Sequence, residues 1–343
     1  MDHLKWPKIY APKNTRRGIQ KWTEATGNPF PVVRYAPKLK LHGTNAGVQI
    51  PSDKSMPIRA QGRNVSLTPQ ADNFGFARWL VETEDVSGVF ETLRDPMHDS
   101  VVFAEWAGKG INGGDAITQV PRKVLCVYAI VVGDQALIDP TRISNLIYQR
   151  YGKAKTNELG IYVLPWYDSP VELDYGSAKS IADFEARYTA HVADLDKVDP
   201  WVQSTFGVSG HGEGLVYYPL VGDYDTTGCV PFEALSHFMF KVKGESHAVN
   251  KGKKKSQNAM SPDKLNSIQE FVDAYVTEPR LLQGVTEACE GQYDFGKIRN
   301  IVQWVGRDVK SESMADLESN GLTWKDVSKF VTAAAVKWYK DQI

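Results

Sequence analysis

The feature that most constrains the fold is a change of hydrophobic period near residue 250. Between residues 32 and 218 the chain keeps returning to short β-branched and aromatic runs, VVRYAPKLKLHG, NAGVQI, SVVFAEW, KVLCVYAIVV, IYVLPW and EGLVYY. Runs of this composition, separated by turn residues, predict strands of antiparallel sheets. Helical patterns lie between them at residues 72–93, at Asp139-Pro140 leading into Ile143, Leu146 and Ile147, and at residues 182–195 behind Ser180. Asp139 and Ser180 are N-cap residues, and Pro140 suits a first helical turn. After the strand FMFKVKG comes HAVNKGKKKSQNAMS, which has no apolar period. From Ser261-Pro262 onward the apolar residues Leu265, Ile268, Phe271, Val272 and Tyr275 recur at spacings of three and four, as do Phe295, Ile298, Ile301 and Val302, then Val327, Phe330, Val331 and Ala334. That is the period of amphipathic helices. The expectation is an α+β domain over residues 1–248, a basic linker over 249–260 and a small all-helical domain over 261–343.

Length and composition agree with two folded bodies. At roughly 100 to 200 residues per domain, 343 residues suffice for two cores without staples. With 40 basic and 41 acidic residues the net charge is −1, so a polyanionic partner must be met by a local patch. One is present: between residues 241 and 264, seven lysines face only Glu245 and Asp263. That is the footprint expected for a phosphate backbone, and Lys251, Lys253, Lys254 and Lys255 are its densest part.

Cys126, Cys229 and Cys289 are odd in number and widely spaced, with no CxxC pair. A disulfide framework or zinc site is disfavoured, and a reducing compartment fits. The longest apolar stretch, residues 124–132, is about half the ~20 residues of a membrane helix, and MDHLKWPK has no signal-peptide core. A cytoplasmic protein with no membrane partner is expected. The absence of HExxH, HxxxH and GxxxxGK[ST] disfavours a zinc hydrolase and a P-loop kinase.

The segment most suggestive of chemistry is Lys40-Leu41-His42-Gly43-Thr44-Asn45, between two strand-like runs. A lysine is a weak nucleophile at its ordinary pKa of about 10.4, but among other cations it loses its proton more readily and can attack phosphorus. Gly43 would let a ligand approach the backbone. Further along, Arg63 could grip a phosphate or ribose hydroxyl, and Glu105 ends an apolar strand beside a glycine-rich turn. Tyr128 offers a ring for base stacking, and Glu213, between two glycines, could hold magnesium. Lys241 and Lys243 share one face of a strand, where they can bind phosphates.

This ordered set resembles the covalent nucleotidyltransferase superfamily of polynucleotide ligases and capping enzymes, and within it the RNA ligase 2 family of T-even phages. KLHGTN is similar to that family's nucleophile motif, and KGKKK, YVTEPR and YDFGK are similar to its C-terminal region. The resemblance implies an antiparallel-sheet nucleotidyltransferase core, ATP-grasp-like, with a helical C-terminal domain. It implies that Lys40 forms the lysyl-AMP bond, that the backbone of Leu39 and Leu41 reads adenine, and that His42 acts after loading. Asn45, Arg63 and Glu105 would contact the nucleotide sugar or the polynucleotide end, and Tyr128 would stack on adenine. Glu213 would hold metal, and Lys241 and Lys243 would bind the phosphate. The implied protein is a monomeric phage or viral repair enzyme with ATP as co-substrate and Mg2+ or Mn2+ as metal. Its partner would be RNA or an RNA–DNA nick. Two positions depart from the pattern: Tyr218 stands where a lysine is usual, and Ala129 where an acid is common.

Two other readings stay open. One is a DNA ligase or a GTP-using capping enzyme, against which the close HGTN match and the helical tail argue. The other is a non-catalytic nucleic-acid binding protein, against which the intact Lys40, Glu213, Lys241 and Lys243 set argues.

Overall fold

The computed structural model describes residues 1–244, 262–319 and 322–343, so the Lys251, Lys253, Lys254 and Lys255 cluster lies outside the described residues. The chain divides into two compact units, one of residues 1–69 and 74–244, the other of residues 70–73 and 245–343.

The strands of the first unit are β1 (Val32–Lys40), β2 (Thr44–Ile50), β3 (Arg59–Gln61), β4 (Ser66–Leu67), β5 (Ser100–Ala107), β6 (Val124–Val132), β7 (Gln135–Leu137), β8 (Ile161–Val163), β9 (Val171–Asp174), β10 (Gly214–Pro219), β11 (Cys229–Pro231) and β12 (Phe240–Lys243). Among the described residues they form a four-stranded sheet, ordered β12-β10-β1-β9, and an eight-stranded sheet, ordered β11-β7-β6-β5-β2-β3-β4 with β8 beside β6. Pairing is antiparallel except for β8, which runs parallel to β6. The six strand-like runs of the sequence are β1, β2, β5, β6, β8 and β10, and the whole is α+β as expected.

Two cores follow from the period-2 alternation of the strands. Tyr35, Leu39 and Leu215 of the smaller sheet meet Phe103, Cys126 and Val131 of the larger one in an inter-sheet core. The opposite face of the larger sheet, with Val48, Val102, Ala104 and Val127, packs under helices α2 (Phe76–Glu82), α3 (Val86–Glu91) and α4 (Pro140–Ile147). Each large side chain buried this way contributes roughly 1.5–3 kcal/mol. β6 departs from alternation at one point. Phe103 pairs Ala129 and Ala104 pairs Val127, so Tyr128 is an inserted residue, and Tyr128 and Ala129 both face the inter-sheet core. A bulge of this kind re-aims a side chain.

The helices differ from expectation in detail. The pattern at 72–93 is two helices, α2 and α3, broken at Asp85, whose φ is +68°. Asp139 caps α4 through Arg142 N–H, as expected. The helix expected behind Ser180 is α6 (Ala178–Leu195), and its cap is Ser177, which accepts from Ser180 N–H. Ser180 itself lies inside the first turn and accepts from Asp174 N–H. Not foreseen is α1 (Pro12–Thr26), a polar helix that buries only Thr15 and Ile19. α5 (Gly152–Glu158), α7 (Pro200–Phe206), α8 (Tyr224–Thr227) and α9 (Phe232–Phe238) complete this unit.

The regular elements described in the second unit are helices: α10 (Pro262–Tyr275), α11 (Glu278–Cys289), α12 (Ile298–Ser319) and α13 (Trp324–Lys340). Its own core contains Phe271, Val285, Ile301, Val305, Val327, Val331 and Tyr339. Among the described residues no helix is long and apolar enough to cross a membrane.

Candidate active site

Strand register brings the sequence-distant lysines together. Gly214 of β10 pairs Lys40 of β1 on one side and Lys243 of β12 on the other. The next row, two residues along, is Lys38, Val216 and Lys241. Gly214 sits at φ +152°, and a Cβ there would fall 2.1 Å from the Val242 carbonyl oxygen, so the strands approach this closely only over glycine. Glu213, just before it, meets both lysines: Lys40 Nζ donates to Glu213 Oε2 at 2.6 Å, and Lys243 Nζ lies 3.4 Å from Oε1.

Glu213 is only 5% exposed, whereas the two lysine side chains are each 22% exposed. Burial alone would raise its pKa. The charges of Lys40, Lys243 and His42 outweigh that and hold the carboxyl well below the usual range. Lys40 and Lys243 thus flank a permanent anion at the rim of the inter-sheet core.

The larger sheet supplies the opposing wall. Glu105, on β5, accepts from Gly43 N–H at 3.1 Å, which fastens the Lys40–Gly43 turn to that strand. A Cβ on Gly43 would come 2.5 Å from the Trp106 carbonyl oxygen and 2.8 Å from Glu105 Cγ, so the turn fits only as glycine. Asn112 Nδ2 donates to the Gly43 carbonyl at 2.8 Å and anchors its other side. Burial pushes Glu105 up to about 7, with Glu213 adding to the rise and Lys40, the Gly43 N–H and Arg63 opposing it. The two glutamates therefore differ: Glu213 stays ionised, while Glu105 shares a proton near neutrality.

Tyr128 enters the same wall from the bulge in β6. Its hydroxyl accepts from Asn45 Nδ2 at 2.8 Å, and its ring meets Trp6 edge-on at 5.0 Å between centroids. Arg63 lies in the turn after β3, and its charge acts on both Glu105 and Tyr128. Leu39 and Leu41 flank Lys40 as buried residues. His42 Nδ1 lies 2.8 Å from Asp115 Oδ2, a carboxylate only 1% exposed.

Lys40, His42, Asn45, Arg63, Glu105, Tyr128, Glu213 and Lys243 thus belong to one neighbourhood, and Lys241 lies one row away on β12. Sequence reading passed over Asp115 and Lys38. Lys38 lies beside Tyr218: its Nζ is 5.3 Å from the centre of the Tyr218 ring and 4.7 Å from that of Trp166. The alternation of Lys38 with Lys40 along β1 was the signal available for it.

Among the described residues no three His, Cys, Asp or Glu side chains form a metal cage. Glu105 and Glu213 are hard oxygen donors beside the ammonium groups of Lys40 and Lys243. That suits a magnesium-class ion held by one or two carboxylates, waters and substrate phosphates.

No protein-family model matches the chain, and no curated protein sequence does. Among solved structures, a mutant Naegleria gruberi RNA ligase with AMP and Mn is similar over 71% of this chain and 56% of its own, at 16% identity and a TM-score of 0.43. The Naegleria gruberi RNA ligase with PPi matches over 71% of this chain and 57% of its own, at 18% identity and a TM-score of 0.42. A structure described as Pmar-Lig_Pre. matches over 70% and 46%, at 16% identity and a TM-score of 0.36. The chain spans about half the length of the solved proteins it matches.

Proposed function

We propose that this chain is an ATP-dependent RNA ligase of the covalent nucleotidyltransferase superfamily, akin to the RNA ligase 2 family of T-even phages. The observation that carries the reading is the row Lys40, Gly214 and Lys243 with Glu213 bound to both lysines. A surface lysine has no need of a nearly buried carboxylate and a second ammonium. A lysine that must attack a phosphate needs to be held in place, surrounded by charge that follows the phosphate as it reacts.

In the first step Lys40 Nζ, freed of its proton and of Glu213, attacks the α-phosphorus of ATP. A nitrogen–phosphorus bond forms and pyrophosphate leaves with the bonding electrons. Lys243 and Lys241 bind the phosphate oxygens on which charge grows. Asn45, Arg63 and Glu105 contact the nucleotide sugar or the polynucleotide end, Tyr128 stacks on adenine, and the backbone of Leu39 and Leu41 reads its edge. Glu213 would hold Mg2+ or Mn2+, whose chemistry there is to neutralise phosphate charge. AMP then passes from Lys40 to the 5′-phosphate of the polynucleotide. The 3′-hydroxyl attacks that phosphate and AMP departs, with His42 acting in these later steps. Lys251, Lys253, Lys254 and Lys255 would hold the strand. The substrate proposed is a nick in duplex RNA or an RNA–DNA hybrid.

The test is covalent labelling. Incubated with α-labelled ATP and magnesium, the protein should retain label through denaturing electrophoresis, while Lys40→Ala should retain none. Label from GTP and not ATP would transfer the reading to the capping enzymes, and normal labelling of Lys40→Ala would end it. Sealing assays on matched nicked RNA, hybrid and DNA duplexes then identify the strand preference.

A further inference from the structure

Beside the Lys40–Glu213 pair, two imidazoles converge on one buried carboxylate. Asp115 Oδ2 lies 2.8 Å from His42 Nδ1, and Asp115 Oδ1 lies 2.9 Å from His211 Nδ1. Both contacts are at ion-pair distance. Asp115 is 1% exposed, whereas the His42 and His211 side chains are 30% and 33% exposed, so the carboxylate is the inner member and the rings are the outer ones.

The three residues come from different segments, and each is fastened by backbone. His42 belongs to the Lys40–Gly43 turn, which Asn112 and Glu105 anchor. The Ala116 N–H, next to Asp115, donates to the His211 carbonyl at 2.9 Å. On either side of His211, the Gly210 carbonyl accepts from Asp199 N–H at 2.8 Å and Gly212 N–H donates to the Leu195 carbonyl at 2.9 Å. A Cβ on Gly210 would press to 3.2 Å from Ala116 Cα, so these two segments meet at backbone distance. A loop so tied does not drift. The ring it carries is placed by the fold.

We propose that Asp115 is a positioning residue that keeps the proton of His42 on Nδ1 and leaves Nε2 as an acceptor for the attacking hydroxyl of the polynucleotide. His211 is held by the same carboxylate and completes the cradle. The inference rests on the ligase reading for the identity of the hydroxyl, but not for the geometry. A buried carboxylate must be met by donors, and the nitrogen that meets it decides which nitrogen is left for the substrate. Asparagine in its place keeps the shape and loses that decision.

The experiment uses the full chain and three readings. Nitrogen-15 imidazole spectra of the wild type should show His42 protonated at Nδ1, and Asp115→Asn should mix the tautomers. Labelling by α-labelled ATP should stay within about threefold in Asp115→Asn, while kcat for sealing ends supplied already adenylylated should fall at least tenfold with KM unchanged. In a His42→Ala background, Asp115→Asn should add no further loss of sealing, because its effect on that step runs through the His42 ring. His42 protonated at Nε2 in the wild type, multiplicative losses in the double variant, or a loss in KM alone would each overturn the proposal. The wild-type spectrum decides even if Asp115→Asn fails to fold. Absence of wild-type labelling would sink the ligase reading instead, with the tautomer still on record.

Discussion

Lys38 Nζ donates a 2.7 Å hydrogen bond to the carbonyl of Tyr128, the residue that the β6 bulge takes out of the ladder. The two irregularities resolve each other. A carbonyl that leaves its ladder inside a core needs a donor, and an ammonium that enters a core needs an acceptor. The faces of Trp166 and Tyr218 complete the lysine's surroundings. Burial pushes Lys38 down to about 7, with Asp139 pulling the other way.

That shift makes a stability prediction with a definite sign. The unfolded chain keeps the Lys38 proton up to about 10.5 and the folded chain only up to about 7. Between those values the unfolded state binds more protons, so this lysine makes stability rise with pH, by up to about 1.4 kcal/mol per unit. Below 7 its contribution is flat, at its least favourable. Urea midpoints of wild type and Lys38→Met at pH 6, 7.5 and 9 should converge or cross as pH rises, with the variant lacking this slope. Parallel lines would mean that Lys38 keeps its charge throughout.

Glu213→Gln removes the anion that Lys40 and Lys243 share. Labelling by ATP should fall by roughly 10²–10³, the usual cost of a misplaced electrostatic group in such sites. Stability should drop by about 1–3 kcal/mol, since two partly buried lysines lose their partner. Labelling at the wild-type rate would show that the triad of charges is structural.

Gly43→Ala tests the fit of the turn against β5. The added methyl would overlap the Trp106 carbonyl and Glu105 Cγ, with backbone on one side and no room to yield. We expect about 1–3 kcal/mol of destabilisation by thermal melt. Labelling should suffer further than stability explains, because Lys40 moves with the turn. A variant with unchanged melting and labelling would show that the turn relaxes freely.

A chain ending near residue 250 should fold and take up AMP, because among the described residues the two cores of residues 1–244 are built from that segment alone. Sealing of 5′-phosphate ends should weaken and its salt dependence flatten as phosphate contacts are lost. Paired labelling and sealing across a salt series measures both, and equal loss of the two would make the tail part of the catalytic fold.

Much of this arrangement was legible from sequence, for a physical reason. Lys40, Lys241 and Lys243 sit on strands whose two-residue alternation is visible in one dimension, and Glu213 directly precedes one between two glycines. Tyr128 was read as a ring on an apolar strand, but its inward direction depends on a bulge defined by the partner strand's register. Asp115 and His211 lie in glycine-rich loops, where no period exists and only the fold brings them together. α1 escaped because it buries two residues of fifteen and has no capping side chain. Ser180 and Ser177 are both plausible caps one turn apart, and the Ser180 hydroxyl is taken by Asp174 N–H.

The strand order β12-β10-β1-β9 has a bearing on synthesis. β1, which bears Lys40, leaves the ribosome early, yet its neighbours begin at Val171 and Gly214. At about 5–20 residues per second, β1 waits roughly 10 to 35 s for β10, with both edges bare until β9 is made. β2, β5 and β6 are all made in that interval and can pair among themselves. The strand that bears Lys40 is therefore the late joiner of its own domain, exposed in the nascent chain to whatever adds strands to an open edge. A message broken before the codon for Phe240 would yield a product lacking β12, and with it Lys241, Lys243 and the outer pairing partner of β10.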